Sequence, residues 1–176
     1  MDPDVTVPDD VDDATWFDEL FAAHAVAVHR YLVRRLPAGG ADAEDLAADV
    51  LATAWRRRAD VPRGAELPWL YRTAGFVLAN HRRKARPTPV AVVPEVPDDV
   101  DPAGLAVDDD QVRAVLARLT PRDRRILLLV AWEGLGGAEL AQVLGVSRGG
   151  ADAALSRARA RLRSAWDAHD AQVDAG

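Results

Sequence analysis

The chain has 176 residues, of which 49% are hydrophobic and 28% charged, and its formal net charge is −6. This balance is typical of a globular protein with one ordinary domain or two small ones. The chain contains no cysteine, which excludes disulfides, thiolate zinc sites and cysteine nucleophiles. No apolar run approaches the ~20 residues that a bilayer-spanning helix needs. The N-terminal segment is acidic, unlike a signal or transit peptide, so we expect a cytoplasmic protein.

Acidic and basic residues are segregated along the chain. Residues 1–14 contain six aspartates and no basic residue, and residues 88–110 contain seven acidic residues and no basic residue. The basic residues cluster at 82–86 and 157–163, on segments predicted to be helical. The overall charge is therefore a poor guide to nucleic-acid binding. One hypothesis from this map is that the acidic tail and linker fold back on the basic helices of the free protein.

The first half of the chain predicts three helices that form one small domain, residues 14–87. Residues 1–13 have little apolar content and are expected to be a disordered tail. In the second helix, an aspartate is placed to act as N-cap and Trp55 is expected in the core. The predicted helices run from Asp13 or Thr15 to Leu36, from Asp42 to about Arg58, and from Pro68 to just before Pro87.

The second half predicts a linker and a second helical domain. Residues 88–107 contain several prolines and show neither helical nor strand periodicity, which indicates a flexible, acidic, Pro-rich linker. A domain at residues 108–168 follows, and residues 169–176 are expected to form a tail. Its predicted helices are Asp110–Leu119, Pro121–Glu133, Gly137–Leu144 and Arg148–Ala168. No strand pattern is found, so the predicted fold is all-α, with two small helical domains joined by the linker.

The last two helices have the pattern of a helix-turn-helix. Leu140, Ala141 and Val146 have the spacing at which two helices pack across a tight turn, and Gly145 can adopt the left-handed conformation that ends a helix. Ser147 offers a side-chain oxygen to the amides of the next helix. Such a unit usually places its second helix in the major groove of DNA.

Three stretches, residues 42–57, 66–86 and 119–163, together resemble the extracytoplasmic-function (group IV) sigma factors of bacterial RNA polymerase. The resemblance implies a sigma region 2 domain, a linker and a helix-turn-helix region 4 domain. It implies a promoter-specificity subunit that directs transcription initiation and is not itself an enzyme. The implied partners are core RNA polymerase, through its β′ clamp helices and β flap, and promoter DNA; an anti-sigma factor stays open as another.

The acidic helix at residues 42–57 has two interpretations. From the residues alone it is a soluble amphipathic helix with an acidic start. Alternatively, an acidic patch around a leucine suits a basic partner surface, and the resemblance implies that this helix binds the β′ clamp helices. The residues predicted to bind core polymerase are Asp42, Glu44, Asp45, Leu46 and Asp49.

The helix at residues 66–86 carries aromatic, amide and basic groups on one face. Such a face suits single-stranded DNA, because aromatics stack on bases while arginines hold the backbone. The alternative is that Trp69 and Phe76 are core residues and that the basic side chains only keep the end of the helix in contact with water. By resemblance this helix recognises and melts the minus-10 element and captures a flipped base, with contacts expected from Trp69, Arg72, Phe76, Asn80, Arg82, Arg83 and Lys84.

The last helix is predicted to hold upstream duplex DNA at the minus-35 element. The residues assigned to that contact are Ser147, Arg148, Arg157 and Arg159. Related proteins have basic residues at the positions of Asp152 and Ala154. This difference keeps a second interpretation open: a sigma-like adaptor that binds polymerase or a regulator without reading a promoter. A free-standing helix-turn-helix regulator is a third. The four dispersed histidines predict no metal site, and no motif predicts catalysis or a cofactor.

Overall fold

A computed structural model describes residues 9–36, 40–85, 105–107 and 109–173. Within these ranges all regular secondary structure is helical, which confirms the predicted all-α fold. A short 3-10 helix, Arg58–Asp60, follows the second of the main helices. The helices are α1 (Asp9–Val33), α2 (Ala43–Arg56), α3 (Glu66–Ala85), α4 (Asp110–Ala117), α5 (Pro121–Glu133), α6 (Gly137–Leu144) and α7 (Arg148–Val173).

Helices α1, α2 and α3 pack against one another and form the N-terminal unit. Apolar residues recur at helical spacing on each helix, so each buries one face; Leu32, Val50 and Leu70 are among the fully buried side chains. Helix α1 begins at Asp9, several residues before its predicted start. Residues 9–13, expected to belong to the disordered tail, are therefore helical, and Asp13 forms an ion pair with Arg58 in the 3-10 helix after α2.

The C-terminal unit comprises α4 to α7, and its local sequence determines where the helices begin and end. Asp109 caps α4 by accepting hydrogen bonds from the amides of the second and third residues beyond it. Thr120 caps α5 from its side-chain oxygen, and Pro121 occupies the first turn. Gly134 and Gly145 end α5 and α6 with φ of +68°, a left-handed conformation that favours glycine.

Helix α7 is longer than predicted, because it continues to Val173 instead of ending at Ala168. Its final turns pack beside α4, where the Gln111 side-chain amide donates to Asp170 Oδ1 over 3.0 Å. Residues 169–173 are therefore the end of a helix and not a separate tail. Leu105, near the end of the predicted linker, is not part of a flexible segment, because it packs with Leu116 and Leu128 in a small second core.

The two units share one continuous core. Buried residues of α5, α6 and α7, including Ile126, Leu140 and Ala151, belong to the same apolar cluster as those of α1, α2 and α3. Helix α3 packs directly on α6. The predicted linker lies largely outside the described residues, at 86–104, but the units that it connects are in contact.

Candidate functional site

The exposed face of α2 is acidic, as predicted. Glu44, Asp45 and Asp49 are all exposed. Leu46 is a correction, because its side chain lies in the core beneath this face and is not accessible to a partner. Asp42 is at the N-cap position but makes no capping hydrogen bond; its carboxylate instead lies 3.3 Å from His81 Nε2 on α3.

An apolar groove lies beside this acidic face, between α1 and α2. Its volume is about 470 Å³. Trp55, predicted to be a core residue, is 38% exposed here because its ring lies at the groove surface, edge-on to Phe17 with 5.3 Å between ring centroids. Phe21 on α1 is 52% exposed. The groove is lined by Ala14, Phe17, Asp18, Phe21, Ala48, Leu51, Ala52 and Trp55.

The central residues of the predicted minus-10 set gather in one cavity on the opposite side of α2. This cavity has a volume of about 570 Å³, within the range usual for small-molecule sites. Trp69 is partly buried and Phe76 is 45% exposed, so the alternative of two core aromatics is wrong for Phe76. The lining residues are Thr53, Arg57, Trp69, Arg72, Thr73, Phe76, Val77 and Asn80.

The cavity is also lined by two residues that the sequence analysis missed, Thr53 on α2 and Arg57 directly after α2. Arg57 lies with its guanidinium carbon 6.0 Å from the centre of the Trp69 ring, and its Nη2 is paired with Asp60 at 2.9 Å. Thr53 donates from Oγ1 to the carbonyl of Asp49, one turn earlier. The only sequence signal for Arg57 is the run of three arginines after Trp55.

The basic end of α3 does not act as one surface. Arg83 is exposed and donates to the Asn80 side-chain oxygen over 2.8 Å, and Lys84 is exposed. Arg82 is a correction: it is partly buried and donates to the backbone carbonyl of Arg35, two residues after α1 ends. Its guanidinium is thus engaged inside the protein, whereas Arg83 and Lys84 are exposed to solvent.

Helix α7 presents a basic stripe to solvent. At 3.6 residues per turn, Arg148, Arg159 and Arg163 share one exposed side of the helix, which does not include its buried alanines. Asp152 is exposed on the same stripe. Arg157 is exposed but falls outside it, and Arg163 was not among the predicted contacts. Ser147 accepts a hydrogen bond from the amide of Gly150 over 3.1 Å and so caps the helix, as predicted.

Two side chains of α7, those of Ala154 and Arg161, make contacts within the protein. Ala154 is buried, so a longer side chain at this position would point into the core and not toward DNA. Its small size therefore does not count against DNA reading. Arg161 donates to both carboxylate oxygens of the buried Asp123, at 2.9 and 2.7 Å, and ties α7 to α5.

The part of the chain that the structure describes holds no group of three or more histidine, aspartate or glutamate side chains suited to a metal ion. None of its helices combines the length and apolarity required for crossing a membrane.

Two sequence families match the two units. Sigma-70 region 2 matches residues 20–88, and Sigma-70 region 4 matches residues 109–162. The fold and the matched regions together define a protein built from a sigma region 2 unit and a helix-turn-helix region 4 unit.

The similar curated proteins define the group more narrowly. The RNA polymerase sigma-E factor of Streptomyces coelicolor is 33% identical, over 78% of each chain. The ECF RNA polymerase sigma factor SigF of Caulobacter vibrioides is 31% identical, over 83% of each chain. SigG of Mycobacterium tuberculosis is 29% identical over 82% of this chain but only 48% of its own, so the chain spans about half the length of that relative. This chain belongs to the extracytoplasmic-function sigma factors of RNA polymerase.

Solved structures show the same fold. The sigma factor RpoE of Bartonella quintana, in complex with the anti-sigma factor NepR, matches with a TM-score of 0.57 and 21% identity, over 86% of this chain and 96% of that one. CnrH, in complex with the cytosolic domain of CnrY, matches with a TM-score of 0.55 and 24% identity, over 86% and 88% of the two chains.

Proposed function

We propose that this protein is a promoter-specificity subunit of bacterial RNA polymerase, which binds the core enzyme and recognises and melts promoter DNA. The observation that carries the proposal is the cavity of the region 2 unit, where Trp69, Arg72, Phe76 and Asn80 come together. Nucleotide addition would belong to the polymerase, and this chain would supply binding and strand separation without catalysis or a cofactor. Its place of action would be the cytoplasm, with the polymerase.

The cavity suits an unstacked base for three physical reasons. Trp69 and Phe76 offer aromatic faces, on which any base can stack. Asn80 offers an amide that can both donate to and accept from a base edge. Arg57 and Arg72 place positive charge at the cavity, where they would hold the phosphates on either side of the base. A base extruded from the minus-10 strand would therefore exchange stacking in the duplex for stacking on these side chains.

Core polymerase would dock on α2 through two neighbouring features. The exposed carboxylates of Glu44, Asp45 and Asp49 would attract a basic surface and accelerate association. The adjacent groove, with Phe21 and Trp55 exposed, would accept apolar side chains of the same partner. Charge would thus guide the approach, while burial of the groove would supply most of the affinity.

The stripe of α7 would hold upstream duplex DNA. Arg148, Arg159 and Arg163 suit phosphate contacts, which provide salt-dependent affinity without reading sequence. Asp152 lies among them and would repel phosphate. This single exposed carboxylate favours a second candidate function, an adaptor that binds polymerase without reading a minus-35 element.

A pull-down with purified core polymerase tests the docking part. We expect the wild-type chain to bind and an Asp45→Arg/Asp49→Arg variant to lose binding. A Glu139→Arg/Asp167→Arg variant, with two exposed carboxylates of the C-terminal unit reversed, is the matched control and should bind normally. Equal binding by all three chains would contradict docking through α2.

An anti-sigma factor is a further proposed partner, to be sought by the same pull-down from cells of the source organism.

A further inference from the structure

The first turns of α7 present an exposed face that is unusually poor in long side chains. Gly149, Asp152, Ala153 and Ser156 are all exposed. At 3.6 residues per turn they fall within an arc of about 100° around the helix axis. We call these four residues the N-terminal face of α7. In a helix-turn-helix, the residues at the start of the second helix are the ones that contact base edges in the major groove.

The missing side chain at Gly149 is not required by the protein itself. A Cβ added there would have no atom within 4 Å, and Gly149 is not among the glycines with positive φ. Glycine inside a helix is less stable than alanine, so the fold gains nothing from it. Gly149 and the single methyl group of Ala153 instead leave the helix backbone open to close approach by a partner surface.

The arginines of α7 border this face and do not occupy it. A Cβ at Gly137, the first residue of α6, would lie 3.6 Å from Nε and Nη2 of Arg148, so this guanidinium lies beside the start of α6. The first helix of such a unit crosses the phosphate backbone, and Arg148 is therefore placed for a phosphate. Arg157 and Arg159 lie on the two edges of the face. Phosphate contacts from these positions would carry no sequence information.

Asp152 is the residue of the N-terminal face whose chemistry favours a particular base. Gly149 has no side chain, Ala153 has no polar group, and the Ser156 hydroxyl both donates and accepts, so it suits several bases. The ionised Asp152 carboxylate only accepts hydrogen bonds. Within the part of the chain that the structure describes, no basic side chain forms an ion pair with it. Its two oxygens are thus available to a donor on DNA.

The donor that fits an isolated carboxylate best is the amino group of cytosine. Guanine and thymine present acceptors in the major groove, which repel a carboxylate. Adenine presents its N6 donor directly beside the N7 acceptor, so the second carboxylate oxygen would face a lone pair. Cytosine presents N4 as a donor with no neighbouring acceptor on its own edge.

We propose that Asp152 is a specificity-determining residue that accepts a hydrogen bond from a cytosine N4 in upstream duplex DNA. This inference rests on the proposed function and gives α7 a sequence preference in addition to phosphate affinity. The carboxylate disfavours DNA in general because phosphates repel it, and a cytosine at one position offsets part of that penalty. A lysine at position 152 would raise affinity for every sequence and lose the preference for cytosine.

Sequence selection by the holoenzyme tests the proposal. Core polymerase carrying the full chain is mixed with a forked DNA library that is randomised in the upstream duplex and in the unpaired minus-10 strand, and the bound sequences are determined. At one upstream position the wild-type holoenzyme should select cytosine over each other base by about five- to tenfold, the lower end of the discrimination given by a good base contact. Selection without an upstream cytosine would overturn the proposal.

Substitutions at position 152 separate base reading from charge. An asparagine amide pairs with N6 and N7 of adenine, so Asp152→Asn should change the selected base at that position from cytosine to adenine. Asp152→Ala should leave the position without a preferred base. Asp167→Asn removes the same charge from another exposed position of α7; it is the matched control and should retain cytosine.

An unchanged cytosine preference in Asp152→Asn and Asp152→Ala would overturn the proposal, even if both variants bound all sequences more tightly. A holoenzyme that selects a minus-10 sequence but no upstream sequence would also overturn it, and would leave the proposed function standing. A chain that fails to bind core polymerase would reject the proposed function itself, and this inference with it.

Discussion

Phe76 allows a direct test of the proposed base cavity, because its ring is 45% exposed and its removal should disturb the core little. Stacking of a base on an aromatic side chain is worth about 1–3 kcal/mol by alanine substitution. Since roughly half of the ring already contacts protein, we expect the lower part of that range, about 1–2 kcal/mol. This corresponds to a loss of about 5- to 30-fold in affinity for a single-stranded minus-10 segment.

The assay is binding of holoenzyme to forked DNA whose minus-10 strand is unpaired, with this subunit at saturating concentration. Phe21→Ala is the matched control, since Phe21 is 52% exposed in the groove on the other side of the N-terminal unit. Phe76→Ala should weaken binding to forked DNA and leave core-polymerase binding unchanged, whereas Phe21→Ala should do the reverse. Unchanged affinity of Phe76→Ala holoenzyme for forked DNA would refute the reasoning for the cavity.

Three further predictions concern single positions. Arg57→Ala should weaken holoenzyme binding to forked DNA and reduce the slope of log affinity against log salt by about one phosphate contact; an unchanged slope would remove Arg57 from the site. Asp152→Lys should strengthen binding to upstream duplex DNA and steepen its salt dependence by a similar amount, whereas Asp110→Lys on α4 should not; equal effects would mean that the α7 stripe does not face DNA. Burial, and then the Glu133 carboxylate, raise the pKa of Tyr71 to about 12. Because an unfolded tyrosine ionises near 10, the stabilising contribution of Tyr71 is fully present below pH 10 and is lost as pH rises toward 12. Tyr71→Phe should remove this part of the alkaline loss of stability in denaturant titrations, and an identical pH profile would contradict the assignment.

Local structure followed from the sequence wherever the determining residues are close together in the chain. The bounds of α5 and α6 match the prediction, because Thr120, Pro121, Gly134 and Gly145 act on helix ends within a few residues. The α3 side of the proposed base cavity was also predictable, since Trp69, Phe76 and Asn80 recur on one face of one helix. Helical periodicity is enough to place such a set without knowledge of tertiary packing.

Contacts between distant parts of the chain were not predictable in this way. Arg35 donates a hydrogen bond to Glu133 over 2.7 Å, although the two residues are separated by 98 positions. In the sequence, each resembles an ordinary charged residue near a helix end. Arg57 enters the cavity only because α2 packs beside α3. For the same reason Trp55 is exposed where a core residue was expected, and Leu46 is buried where a surface residue was expected. Periodicity defines a helix face, but neighbouring helices decide which part of that face is covered.

The measurement that tests the central claim most directly is run-off transcription with purified core polymerase on genomic DNA of the source organism. Core enzyme with this chain should initiate at discrete positions that core enzyme alone does not use, and Asp45→Arg/Asp49→Arg should abolish those transcripts. A chain that binds core polymerase but yields no discrete starts would contradict the promoter-specificity function and favour the adaptor.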